Sequence, residues 1–182
     1  MTQTFRSLAT GIALTALSAT PALAADTLTE ALKNSDSRLH LRTRFEDVDQ
    51  DGVEPSSALT QKTRLTFQSG TFNNMNFLLE MDDTTALTDV DYNDGTGINP
   101  STAVIADPEG TEVNQVYLSY SMGDTEARYG RQRILLDNQR FVGGVGWRQN
   151  EQTYDALSFR NGSLDNVELF YAYVHNLSLI HI

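Results

Sequence analysis

The chain has 182 residues, no cysteine and a formal charge of -11. The missing cysteines exclude a disulfide-stapled secreted scaffold, and the acidic balance argues against nucleic acid as a general partner. What remains is a sheet stabilised by its own hydrogen bonds.

At the N-terminus Arg6 precedes an uncharged, apolar and small-residue run from Leu8 to Thr20, followed by Ala22-Leu23-Ala24. A positive start, a short apolar stretch and a small-x-small site predict a secretory signal peptide over 1–24, cleaved after Ala24. The run falls short of the ~20 residues that a membrane-crossing helix needs. Losing Arg6 leaves 12 basic against 24 acidic residues, a charge of -12. Residues 25–36 read as a periplasmic N-terminal segment with one short helix from Thr27 to Asn34.

Seven segments with two-residue periodicity follow, the pattern of strands with two different faces. The first, Ser37 to Asp47, sets Leu39, Leu41, Thr43 and Phe45 against Arg38, His40, Arg42, Arg44 and Glu46. Leu59 to Gln68 sets Leu59, Leu65 and Phe67 against Lys62, Arg64 and Gln68. Met75 to Asp82 sets Phe77, Leu79 and Met81 against Asn76 and Glu80. Glu112 to Met122 sets Val116, Leu118 and Tyr120 against Gln115, Tyr117 and Ser119.

Thr125 to Arg133 is less regular. Ala127 and Tyr129 share a face that Arg131 and Arg133 continue, and Gly130 marks a bulge or the membrane edge. Thr153 to Arg160 and Asn166 to His175 complete the set, the last with Val167, Leu169, Tyr171 and Tyr173 facing away from Glu168.

Each segment is about 8 to 11 residues, close to the ~9–11 that a tilted strand needs to cross the hydrocarbon layer. Short turns are expected at Ser69-Gly70-Thr71, at Met122-Gly123-Asp124 and at Asn161-Gly162, a tight-hairpin signal. The other connections are long: Val48 to Ala58, Asp83 to Thr111, and Ile134 to Gln152. Long and short alternate, as in an up-and-down outer-membrane barrel with short periplasmic turns and long external loops. The expected fold is therefore an all-β, transmembrane, antiparallel up-and-down barrel, with residues 37–176 as its N-terminal part.

Charge follows the faces. Arg38, Arg42, Arg44, Lys62, Arg64, Arg128 and Arg160 lie within strands, and on the lipid side each would cost roughly 2–4 kcal/mol at mid-depth. They are expected to face a water-filled interior. Asp82 to Glu112 is the reverse, with eight acidic residues and no basic one. An arginine-lined wall concentrates anions and holds carboxylates with paired hydrogen bonds. The competing reading is that these arginines pair with Glu46, Glu80, Glu126 and Glu168 and brace the wall.

Several ordered motifs carry a resemblance: Gly130-Arg131-Gln132-Arg133, Asp137-Asn138-Gln139-Arg140-Phe141-Val142-Gly143, Trp147-Arg148-Gln149-Asn150 and Gln152-Thr153-Tyr154-Asp155-Ala156. With Ala106-Asp107-Pro108-Glu109-Gly110-Thr111-Glu112 and Leu41-Arg42-Thr43-Arg44-Phe45-Glu46, they make Leu39 to Tyr173 resemble the alginate-export family of bacterial outer-membrane porins. The resemblance implies a barrel of about eighteen strands, within the range of single-chain outer-membrane barrels, so the seven here are part of it. It also implies an electropositive channel for anionic or sugar-acid solutes, in contact with outer-membrane lipid and lipopolysaccharide. Arg131, Arg133, Arg140 and Arg148 become candidates for the constriction, joining Arg38, His40, Arg42, Arg44, Lys62, Arg64 and Arg128 as pore-lining residues. Gly143, Gly144 and Gly146 would let the third long loop fold inward. The alternative for that loop is to pack over the rim against lipopolysaccharide.

The remaining signals are weaker. Asp47-Val48-Asp49-Gln50-Asp51-Gly52 matches half of a calcium loop, but the twelfth position is Ala58 where a bidentate glutamate belongs. A solvated acidic turn is the better reading, and no metal or cofactor is expected. His40 is the one plausible general base, with no nucleophile or acid arranged beside it, so no catalytic residue is assigned. The chain ends Ser178-Leu179-Ile180-His181-Ile182 in mid-strand, where an aromatic terminal residue is expected. The sequence therefore reads as an N-terminal fragment, with 177–182 a non-native tail. Rival functions are a structural or adhesive barrel acting through its acidic loops, and a soluble secreted β-sandwich that binds carbohydrate.

Overall fold

A computed structural model describes residues 6–15, 24–25 and 27–178, with side chains over 27–178. In chain order the elements are β1 (Arg6–Thr15), β2 (Ala24–Ala25), α1 (Leu28–Lys33), β3 (Asp36–Asp49), β4 (Ser56–Gln68), β5 (Thr71–Phe72), β6 (Met75–Ala86), β7 (Gly110–Met122), β8 (Thr125–Gln132), β9 (Thr153–Leu164) and β10 (Val167–Ser178). The long strands pair antiparallel in the order β1-β3-β4-β6-β7-β8-β9-β10, a meander curled into a half-barrel. The described residues therefore form a nearly all-β sheet with one small helix. Residues 16–23 of the expected signal segment and 179–182 of the expected tail lie outside the described residues.

The side chains are sorted oppositely to those of a water-soluble sheet. Leu39, Leu65, Leu118, Tyr171 and Tyr173 are exposed, and Tyr129 is 65% exposed. Lys62 is 1% exposed, and Arg44, Glu46, Glu80 and Asp82 are buried with it. The register keeps each population on one side: Leu39 stands opposite Leu65, and Leu65 opposite Met81. A water-soluble sandwich buries the apolar face of each sheet; here that face is left for a nonpolar surround.

Local chemistry explains the turns. Asn73 and Asn74 take positive φ of 48° and 62°, the mirror-image turn whose twist matches a hairpin, and they join β5 to β6. Gly123 at φ 57° closes β7–β8. The β9–β10 turn corrects the expectation at Asn161-Gly162: the reversal comes at Asp165-Asn166, with Asn166 at φ 59°. Asn161 and Gly162 stay in β9 because each has a partner in the neighbouring hairpin. Asn161 Nδ2 donates to Thr125 Oγ1 at 2.7 Å, and the Gly162 N–H to the Asp124 carbonyl at 3.0 Å.

Two more expectations are revised. Pairing of β3 with β4 continues to Val48↔Ser56, so the first outer connection shrinks to 50–55, and Asp47 and Asp49 of the calcium-like motif belong to a strand. Gly130 makes no bulge, since the β7–β8 register runs through Tyr117↔Gly130 without a shift. Its φ is +129°, and a Cβ there would lie 2.3 Å from the Val116 carbonyl oxygen. Close backbone approach is what calls for glycine. The bulge falls in β7 at Asn114, between the pairs Glu80↔Gln115 and Met81↔Val113.

The helix is too short to persist alone. Thr27 caps it by accepting from the Glu30 N–H at 3.2 Å, and the Ala31 carbonyl accepts from the Gly70 N–H at 2.9 Å, tying it to the first short turn.

Candidate functional site

Alternate residues of β3, β4 and β6 place Arg42, Arg44, Lys62, Arg64, Glu80 and Asp82 on the concave face. Two long connections fold against it. In the loop 87–109, Tyr92 and Ile105 pack on Ala58, and Tyr92 donates to the Asp107 carbonyl at 3.1 Å. That leaves the Asp107 carboxylate to accept from Arg44 at 3.1 Å and from the Gln149 N–H at 2.8 Å.

The loop 133–152 reaches further in. Gln149 is fully buried. Its side chain accepts from Arg42 Nε at 2.8 Å and donates to Thr60 Oγ1 at 2.9 Å. Arg42 also donates to the Gly146 carbonyl at 3.0 Å and to the Arg148 carbonyl. Arg44 donates to the Trp147 carbonyl at 3.0 Å and pairs with Glu46, and Arg148 meets Glu46 at 3.0 Å. Such carbonyls at the turn of an infolded loop have no strand partner, and the wall arginines supply their donors.

Glu151 is the hub of this packing. It lies 2.9 Å from Arg64, 2.5 Å from Arg133 and 3.7 Å from Lys62. Burial alone would raise its pKa, but the charges of Arg64, Arg133 and Lys62 outweigh burial and hold it at about 2. Arg64 makes a two-pronged contact with Asp82 at 2.7 and 2.5 Å. Glu80 accepts from Thr66, Asn114, Gln115 and Arg133 at 2.9 to 3.0 Å. Charges removed from water persist only when compensated; the carboxylates and guanidinium groups here are paired and hydrogen-bonded, and the Lys62 ammonium lies 3.8 Å from Asp82 and 3.7 Å from Glu151.

Toward the short turns the concave face opens. Arg38, Gln115, Tyr117, Arg128, Arg133 and Arg160 line a concavity of about 420 Å³. Arg38 pairs with Asp36 at 2.5 Å, Arg128 with Glu126 at 3.0 Å, and Arg160 with Glu168 at 2.5 Å. These three stay a third to a half exposed. Arg128 also lies over the Tyr117 ring at 5.1 Å, and its Nε is buried without a partner.

The expected site residues thus fall into groups. By register Arg38, His40, Arg42, Arg44, Lys62, Arg64 and Arg128 share the concave face, and Arg133 and Arg148 join it through Glu80, Glu151 and Glu46. Arg140 stays exposed at the loop tip, 5.7 Å from the Phe141 ring. Arg131 departs from expectation. It stands opposite Val116 and Asp155 on the side of Tyr129, and it grips Asp155 at 2.9 and 3.2 Å. The pair sits at the long-loop end of β8, where a charge on the lipid side costs far less than at mid-depth.

The residues from 34 to 172 match the family model described as alginate export. The chain belongs to the alginate export family. That family is one of outer-membrane β-barrels that serve transport, and its channel suits the half-barrel with nonpolar residues outside and charges within. Searches of curated proteins and of solved structures gave no match to the chain.

Sequence reasoning did not single out Gln149, Glu151 or Asp107 as site residues. The available signal was the run Arg148-Gln149-Asn150-Glu151, polar throughout and set between a glycine-rich stretch and a strand. Periodicity has nothing to say about a loop that packs back on its own wall.

Proposed function

We propose that this family member is an outer-membrane channel whose concave face lines a water-filled lumen, passing anionic or sugar-acid, alginate-like solutes by diffusion. In this reading the 1–24 segment acts as a cleaved export signal, so β1 leaves with it and β3 becomes the first long strand of the processed sheet, while the nonpolar side meets outer-membrane lipid and lipopolysaccharide. One observation carries the selectivity: Arg38, Arg128 and Arg160 remain partly exposed around an open concavity. Their guanidinium groups can exchange a wall carboxylate for one on a passing solute at little cost, because exposed pairs contribute only ~0–1 kcal/mol. The positive potential of such a wall raises the local anion concentration.

Arg42, Arg44, Lys62 and Arg64 have another task in this proposal. They hold the loop 133–152 against the wall, narrowing the passage from the long-loop side. Reversal potentials in planar bilayers test the selectivity. Converting Arg38, Arg128 and Arg160 together to glutamine should lower the anion-to-cation permeability ratio by at least about threefold. An unchanged ratio would remove anion selectivity from the proposal.

A further inference from the structure

The infolded loop holds two aromatic rings that keep large open faces, one of them also in contact with the wall residue Arg44. Phe141 is 91% exposed and Trp147 58%, although both belong to a loop whose neighbouring residues are tied into the wall. With Asn138, Gln139, Arg140 and Gln152 these rings line a cavity of about 620 Å³, within the ~300–1,000 Å³ of small-molecule clefts. Large rings facing water are costly to retain and point to a ligand or partner.

Trp147 is held in place while its surface stays open. The Arg148 guanidinium lies 4.0 Å from its ring centroid and that of Arg44 4.9 Å. Its carbonyl accepts from Arg44, and the Gly144 carbonyl accepts from the Gln152 N–H at 2.8 Å. Val145, between them, has φ +51°, a strained state for a β-branched residue that the surrounding contacts must impose. Arg140, making no ion pair among the described residues, lies 5.7 Å from the Phe141 ring. Aromatic faces, side-chain amides and a guanidinium without an ion pair among the described residues together suit a pyranose ring bearing a carboxylate: the rings stack on its C–H face, the amides bond its hydroxyls, and the guanidinium takes two carboxylate oxygens.

We infer that the loop 133–152 carries a binding subsite for an acidic sugar unit, with Trp147 and Phe141 as stacking platforms and Arg140 as the carboxylate clamp. This rests on the channel reading and deepens it, by giving the solute a docking point on the loop itself. The shared chemistry, an acidic pyranoside, could come from a soluble polyuronate or from lipopolysaccharide; the structure favours the former because Trp147 is anchored to the concave wall.

Trp147 is the chain's only tryptophan, so its emission reports on the subsite. The full chain in detergent micelles, titrated with a short oligouronate, should show a saturable change in emission. A neutral glucan of equal length should require at least tenfold higher concentration for the same response. Arg140→Gln and Phe141→Leu should each weaken oligouronate binding about tenfold while leaving the urea-unfolding midpoint unchanged, since Phe141 is 91% exposed and Arg140 makes no ion pair among the described residues. No saturable response, equal response to the neutral glucan, or a response to lipopolysaccharide alone would overturn the subsite. A silent Trp147 in a protein that still prefers anions in bilayers would sink this inference and spare the channel; loss of the preference with binding intact would do the opposite.

Discussion

At the long-loop end of the concave wall, Lys62, Arg64, Arg44 and Arg133 sit among Glu46, Glu80, Asp82, Asp107 and Glu151, mostly buried and each within reach of more than one carboxylate. At the short-turn end, Arg38, Arg128 and Arg160 each have one acidic partner and stay in contact with solvent. The same residue types on the same face therefore do different work. Where a loop covers the charges, low dielectric and multiple partners make them a brace. Where nothing covers them, water screens the pairs and leaves the cations exchangeable.

The sharpest test of this contrast is Glu151→Gln. It leaves Arg64, Arg133 and Lys62 short of a charge in a covered site and should cost about 3–5 kcal/mol, read as a lower midpoint in urea unfolding from detergent. Cleavage by trypsin at Arg140 and Arg148 should accelerate in the same variant as the loop detaches. A change below about 1 kcal/mol would show that the loop is not held there by charge.

Next in size is Gly130→Ala, which probes neither charge tier. Its Cβ would meet the Val116 carbonyl at 2.3 Å and the Tyr117 Cα at 2.9 Å, so the β7–β8 pairing must open, at a cost on the order of 2–3 kcal/mol in the same unfolding assay. It gives a measure of backbone damage against which the charge variants can be compared.

Of the two tiers, acidification should act on the covered one. Glu151 has a folded pKa of about 2 against its ordinary 4.5. Its contribution is thus complete above pH 4.5 and is lost as pH falls from there through about 2. Hydrogen exchange over 140–152 should quicken in that window in the native protein, and the increment should vanish in Glu151→Gln. The smallest effect on stability is expected at the open tier: Arg160→Gln should shift the unfolding midpoint by no more than about 0.5 kcal/mol, since both partners are half exposed.

The two-residue alternation was enough to place the strands. Leu39 to Phe45 against Arg38 to Glu46 can be satisfied only by a ribbon with a nonpolar and a charged side, and pairing the ribbons in order leaves one consistent register. The helix was legible too, because Thr27 caps it and the chain around it has no other helical stretch. The Asn-Gly pair at 161–162 misled, since a turn signal says nothing about a neighbouring hairpin that supplies partners and lets the strand run on.

The sequence by itself determined the sorting of side chains to two faces and the order of the strands, because both are set by local spacing and by the cost of placing charge in hydrocarbon. The division of the charged face into a covered brace and an open tier was decided only in the tertiary structure. It depends on Gln149, Asp107 and Glu151 arriving from loops more than 40 residues along the chain from the strand arginines Arg42, Arg44 and Arg64 that they meet. Burial and partner number, which no local pattern encodes, set what a guanidinium does.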